Sequence, residues 1–212
     1  MDFIDSGIQD YSNKFTTKTN KNLENLERET YLKTIQPRMI SGFFQGRCLS
    51  ILSQMIKPGN ILEIGTFTGY GTLCLCEGLQ KDGIVDTIEK NEELKSFFTK
   101  YFKKSKYKNN IITHLGCATK IIPRLNKKFD LVFIDADKKN YAKYFKLIDK
   151  KLNIGGYVIS DNMLWSGKVL KKTLDKDTKG IKKLSKIIHE NKKYQNILLP
   201  IRDGLMIAKK IK

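Results

Sequence analysis

The chain has 212 residues, 40% of them apolar, four cysteines, two histidines and a formal charge of +18. That length suits one compact core, and the apolar runs are too short for a membrane span, which needs about 20 consecutive apolar residues. His114 and His189 cannot build a multi-histidine metal centre, and Cys48, Cys74, Cys76 and Cys117 lack metal-ligand spacing and read as buried free thiols.

The N-terminal stretch MDFIDSGIQDYSNKF has no basic start, apolar stretch or small-residue cleavage site, so a cytoplasmic protein without membrane attachment is expected. Residues 20–35 alternate apolar and charged positions at helical spacing, and residues 39–56 form a second, more apolar helix, with Pro37 between them. Residues 1–36 are expected to be a helical extension that packs on the domain or on a partner subunit, and residues 37–212 a single domain. From Asn60 onward short apolar runs alternate with amphipathic segments: ILEI (61–64), GIVDTIE (83–89), NIITHL (110–115), FDLVFID (129–135) and GGYVIS (155–160). Strands apolar throughout, separated by helices, predict a parallel sheet covered on both faces. NILLPI (196–201) and LMIAK (205–209) are joined only by Arg202, Asp203 and Gly204, too few residues for a crossover, and so predict a terminal hairpin. The expected fold is α/β, a Rossmann-like doubly wound seven-stranded sheet, mostly parallel with an antiparallel last strand, and ligands at the carboxyl ends of the strands.

The first strand leads into Glu63-Ile-Gly-Thr-Phe-Thr-Gly-Tyr-Gly71, a glycine loop before a helix predicted from about Thr72. Its G-x-x-x-G-x-G spacing differs from the dinucleotide fingerprint, which counts against a nicotinamide oxidoreductase. Glu89, ending the second strand, is placed to accept hydrogen bonds from two ribose hydroxyls. A glycine loop alone is commonly just a tight strand-to-helix turn; with Glu89 and an acidic residue at the fourth strand tip it reads as a nucleoside site.

This loop resembles the first motif of class I S-adenosylmethionine-dependent methyltransferases, in the caffeoyl-CoA and catechol O-methyltransferase family (bacterial branch). PRMISGFFQGRCLSIL (37–52), DLVFIDADKKNYAKYF (130–145), GGYVISDNMLWSGKV (155–169) and RDGLMIA (202–208) resemble the family's other blocks in order and spacing. The resemblance implies cofactor contacts from Met39 and Ser41, from Glu63, Gly65 and Tyr70, from Ala118 on the adenine side and from Asp135 near the amino-acid moiety, besides ribose binding by Glu89. Gly71 stands where a serine is common, so a hydroxyl contact is expected to be lost there. A homodimer is also implied.

Asp135 at the tip of the fourth strand and Asp161 and Asn162 at the tip of the fifth can converge on one hard cation, as the family's metal ligands do. Mg²⁺ is the expected ion, with Ca²⁺ or Mn²⁺ as other candidates. Either Asp alone would read as a loop or helix cap; two carboxylates in one cleft need a cation or substrate between them. Lys138, three residues after Asp135, matches the position of the family's general base, and a nearby metal and sulfonium would disfavour its charged form. Trp165 and Tyr141 are candidates for lining the substrate pocket. The expected activity is metal-dependent methylation of a catechol-like or phenolic hydroxyl on a small molecule. The charge leaves open O-methylation of a hydroxylated uridine in tRNA, or a non-catalytic RNA-binding module. The basic residues are mostly Lys rather than the Arg preferred for bidentate phosphate contacts, which favours reading them as a solvated coat.

Overall fold

A computed structural model describes residues 4–173 and 175–212. The seven strands among these described residues are β1 (Asn60–Ile64), β2 (Ile84–Glu89), β3 (Ile111–Leu115), β4 (Phe129–Ile134), β5 (Leu152–Ser160), β6 (Tyr194–Leu199) and β7 (Leu205–Lys210). They form one sheet of order β3-β2-β1-β4-β5-β7-β6. The pairings of β1 with β2 and β4, of β2 with β3 and of β4 with β5 are parallel, and β7 runs antiparallel to both β5 and β6. The doubly wound sheet and its antiparallel last strand are as expected.

Among the described residues, eight α-helices surround it: α1 (Ser6–Lys14), α2 (Lys21–Lys33), α3 (Gly42–Ile56), α4 (Tyr70–Cys76), α5 (Lys95–Lys104), α6 (Ala118–Ile121), α7 (Tyr141–Asp149) and α8 (Lys176–Glu190). Strand alternation sends Leu62 and Ile64 of β1 to a core closed by α6, α7 and α8 through Ala118, Phe145 and Leu184. Ile61 faces the opposite core, closed by α2 to α5 through Leu26, Leu49, Leu73 and Phe98. Four-residue apolar runs are legible as strands because both faces are buried in this way.

The second predicted helix begins later than residue 39. Pro37 starts a separate 3-10 turn, Pro37–Met39, and Gly42 takes φ +70, a left-handed geometry through which an α-helix does not propagate backward. The helix after the glycine loop begins at Tyr70, slightly before Thr72. α2 lies on the domain through buried Leu23, Leu26 and Thr30, with the Thr30 hydroxyl donating to Thr68 at 3.0 Å. All four cysteines are free, Cys74 and Cys76 buried and Cys48 and Cys117 half-buried. Among the described residues, no helix is long and apolar enough to cross a membrane.

Candidate active site

Between β1 and β4 the winding direction of the sheet reverses, and the crevice at their carboxyl ends is where such folds bind ligands. Asp135 follows β4 directly, its N–H donating to the Ile64 carbonyl at 2.9 Å, and Asp161 follows β5, its N–H donating to the Ile134 carbonyl at 3.0 Å. These two bonds set the strand tips side by side. Gly65 permits the close packing: it takes φ +106, and a Cβ there would stand 1.9 Å from the Asp135 carbonyl oxygen.

Asp161 is only 5% exposed. Burial and then the charge of Asp135 push its carboxyl up to about 6, so the two acids face each other across the site. Its Oδ1 accepts the Asn162 N–H at 2.7 Å and its Oδ2 accepts Gln45 Nε2 at 2.5 Å. Asn162 sits at φ +57, donates Nδ2 to Asp203 at 3.3 Å, and leaves its Oδ1 without a donor among the described residues. The set is two carboxylates and a carboxamide oxygen, a hard donor set that suits a divalent cation and would resolve the charge conflict. Among the described residues, here or elsewhere, no three Asp, Glu, His or Cys side chains converge, so this site offers two carboxylates and one amide oxygen.

Lys138, in a 3-10 turn, is nearly buried and its Nζ donates to Asp135 Oδ1 at 2.8 Å. Its ammonium lies 5.1 Å from the Tyr141 ring centroid and 5.8 Å from that of Trp165. Burial, the largest single influence, would lower its pKa, but Asp135 and Tyr141 together outweigh burial and hold it above the ordinary lysine value. The expectation that its charged form is disfavoured concerns a site holding metal and sulfonium; in the chain alone the ion pair with Asp135 favours the ammonium. Tyr141 is fully buried, its hydroxyl donating to the Ile134 and Asp161 carbonyls, so it braces the strand tips and does not line a pocket.

On the cofactor side, Glu63 is buried under the glycine loop, its Oε2 accepting the hydroxyls of Thr72 and Thr87. Glu89 accepts Phe67 N–H at 2.7 Å with Oε2, and the N–H groups of Lys90 and Asn91 at 2.8 Å with Oε1, so it fixes the loop's shape as well as standing at the β2 tip. Tyr70 begins α4 directly after the loop. Its ring is buried in the core, packed so closely on α3 that a Cβ at Gly46 would come within 2.5 Å of it, which leaves its backbone as the part available to a ligand. Met39 is 60% exposed at the end of its turn, Ser41 is nearly buried before α3, and Ala118 is buried at the start of α6. The serine missing at Gly71 also has a local reason: a Cβ there would lie 2.9 Å from Glu63 Oε1 and 3.4 Å from Ser41 Oγ.

The sequence reading missed Gln45, Arg202 and Asp203 as site residues. The turn between β6 and β7 reaches back to the strand tips: Arg202 Nη1 donates to the Ser41 carbonyl and, at 2.8 Å, to Gln45 Oε1, while Asp203 accepts from Asn162 Nδ2 and the Ser166 N–H. The one available signal was an Arg-Asp pair in a three-residue turn of a chain with few arginines. A cavity of about 670 Å³ opens beside these groups, lined by Asn162, Ser166, Arg202 and Asp203, by Phe43 and Phe44, and by α1.

The profile of the O-methyltransferase family matches residues 13–211. The chain belongs to the O-methyltransferase family. Among this O-methyltransferase's relatives, caffeoyl-CoA O-methyltransferase of Medicago sativa is 29% identical over 181 residues, covering 79% of this chain and 73% of the relative. Catechol O-methyltransferase of Niastella koreensis is 33% identical over 130 residues, 59% of each chain. The solved O-methyltransferase from Bacillus cereus in complex with SAH superposes with a TM-score of 0.90 at 26% identity, covering 96% of this chain and 97% of that one. The resemblance read from the sequence, to S-adenosylmethionine-dependent O-methyltransferases of the caffeoyl-CoA and catechol type, therefore holds, and the chain is an enzyme.

Proposed function

We propose that this O-methyltransferase moves the methyl group of S-adenosylmethionine to a hydroxyl of a small catechol-like or phenolic molecule, with a divalent cation held by Asp135, Asp161 and Asn162. The observation that carries this reading is the meeting of two carboxylates, a free carboxamide oxygen and a buried lysine at neighbouring strand tips, beside an open cavity. Glu89 and the Gly65 loop would hold the nucleoside end of the methyl donor, and Met39 and Ser41 its other side, with Ala118 against the adenine.

A cation bound at this set would supply Lewis acidity to a hydroxyl of the acceptor and fix its direction, worth several kcal/mol. The residues themselves do the rest. Phe43 and Phe44 offer aromatic walls to a planar acceptor, and Gln9 and Asn13 of α1 close the cavity with hydrogen-bonding groups. Lys138 takes the hydroxyl proton: with Asp135 engaged on the cation, the largest opposition to the burial that disfavours its ammonium is withdrawn. The S–CH₃ bond then breaks as the O–CH₃ bond forms, and S-adenosylhomocysteine leaves.

The test is turnover of Lys138→Met with S-adenosylmethionine and catechol, read by mass spectrometry of the methylated product. A fall in kcat of about 10²- to 10⁴-fold with donor affinity retained is expected for loss of a general base. Wild-type kcat in this variant would remove Lys138 from the chemistry.

A further inference from the structure

Gln45 is a buried glutamine, 3% exposed, on the first turns of α3, where packing alone calls for an apolar side chain. Both ends of its amide are used. Nε2 donates to Asp161 Oδ2 at 2.5 Å, and Oε1 accepts from Arg202 Nη1 at 2.8 Å. Turning the amide over would set Oε1 against a carboxylate and Nε2 against a guanidinium, so these two charged partners lock one orientation. Arg202 is itself anchored: it donates to the Ser41 carbonyl and sits at φ +49 in the tight turn between β6 and β7.

We propose that Gln45, held by Arg202, is a positioning residue that sets the Asp161 carboxylate for the cation and ties it to the cofactor segment at Ser41. This rests on the metal reading above. Asp161 has one donor on each oxygen, Gln45 Nε2 and the Asn162 N–H, so each oxygen keeps a lone pair for a metal while its rotation is stopped. Partners behind a metal ligand commonly change metal affinity 10- to 100-fold when removed. The same Arg202 hydrogen-bonds the chain on either side of the N-terminus of α3, at Ser41 and at Gln45, so a shift of the cofactor segment is transmitted to the ligand carboxylate.

The experiment titrates Mn²⁺ alone into the full-length protein and reads free Mn²⁺ by electron paramagnetic resonance, with thermal midpoint and S-adenosylmethionine binding measured beside it. Gln45→Met keeps the volume and removes both hydrogen bonds. It is expected to weaken Mn²⁺ binding about 10- to 100-fold while donor binding stays near wild type. Ser50→Ala, in the same helix but bonded to Glu77, is the control for a merely structural effect: it should lower the midpoint and leave Mn²⁺ affinity alone. Arg202→Met frees Gln45 Oε1 and should weaken Mn²⁺ binding in the same direction by less. A Gln45→Met protein that is less stable but binds Mn²⁺ as wild type does would overturn the proposal. If that variant does not fold, unchanged Mn²⁺ affinity in Arg202→Met overturns it instead. Wild-type protein that binds no Mn²⁺ would overturn the metal reading itself, a failure visible before any substitution is made.

Discussion

Glu63 shows how burying one side chain makes stability depend on pH. Its carboxyl is buried beneath the glycine loop, and burial, only partly offset by the hydroxyls of Thr72 and Thr87 and reinforced by Asp135 and Glu89, pushes it up to about 8. Between its ordinary value of 4.5 and that value, the folded chain holds a proton that the unfolded chain has lost. This contribution to stability is thus fully present below the ordinary value and is lost as pH rises through the folded one. Each tenfold change in proton affinity is worth about 1.4 kcal/mol, so the loss is on the order of several kcal/mol. Glu63→Gln should match wild type in thermal midpoint at about pH 5 and exceed it at about pH 8; parallel pH profiles for the two proteins would contradict the assignment. Legibility at this scale depended on locality. Asp135 and Lys138 lie in one short motif, and Asp161 and Asn162 in another, so their meeting followed from parallel strands ending side by side. Gln45 meets Asp161 across 116 positions of sequence, and nothing in its own neighbourhood announces a charged partner.

At the scale of elements, the glycine loop and the β6–β7 turn decide the geometry. The strands were legible because two-sided burial demands continuous apolar runs, and the hairpin because three residues cannot make a crossover. The start of α3 was not legible, since it depends on the left-handed backbone of Gly42, and the inward turn of the Tyr70 ring depends on the close approach of α3 at Gly46. Gly71 gives a test of how tightly the loop is packed. Gly71→Ser puts a Cβ 2.9 Å from Glu63 Oε1, whose movement is restrained by Thr72 and Thr87. The expected cost is about 1 to 3 kcal/mol, the usual range for overpacking, read as a lower urea midpoint with unchanged slope. A midpoint equal to wild type would mean that the carboxyl yields freely.

For the whole molecule, the charge of +18 poses the remaining question of what the acceptor is. The basic side chains are mostly exposed lysines, and the cavity wall is instead aromatic and mixed in charge, with Arg38 and Arg202 beside Asp10 and Asp203. On the proposed reading, a small neutral acceptor would bind there without releasing counterions. Its kcat/KM should therefore change little between about 50 and 200 mM salt, whereas a protein making 6 to 10 phosphate contacts loses roughly 10³- to 10⁵-fold in affinity over that range. A steep fall with catechol as acceptor would show that the lysine coat takes part in recognition.

The most direct test of the account is transfer of labelled methyl from S-adenosylmethionine to catechol, run beside undermodified tRNA, each with Mg²⁺ and with chelator. Label on catechol is expected to require the metal and to return when Mg²⁺ is added back. Label on catechol that survives the chelator would contradict the role given to Asp135, Asp161 and Asn162, and label on tRNA alone would contradict the small-molecule acceptor.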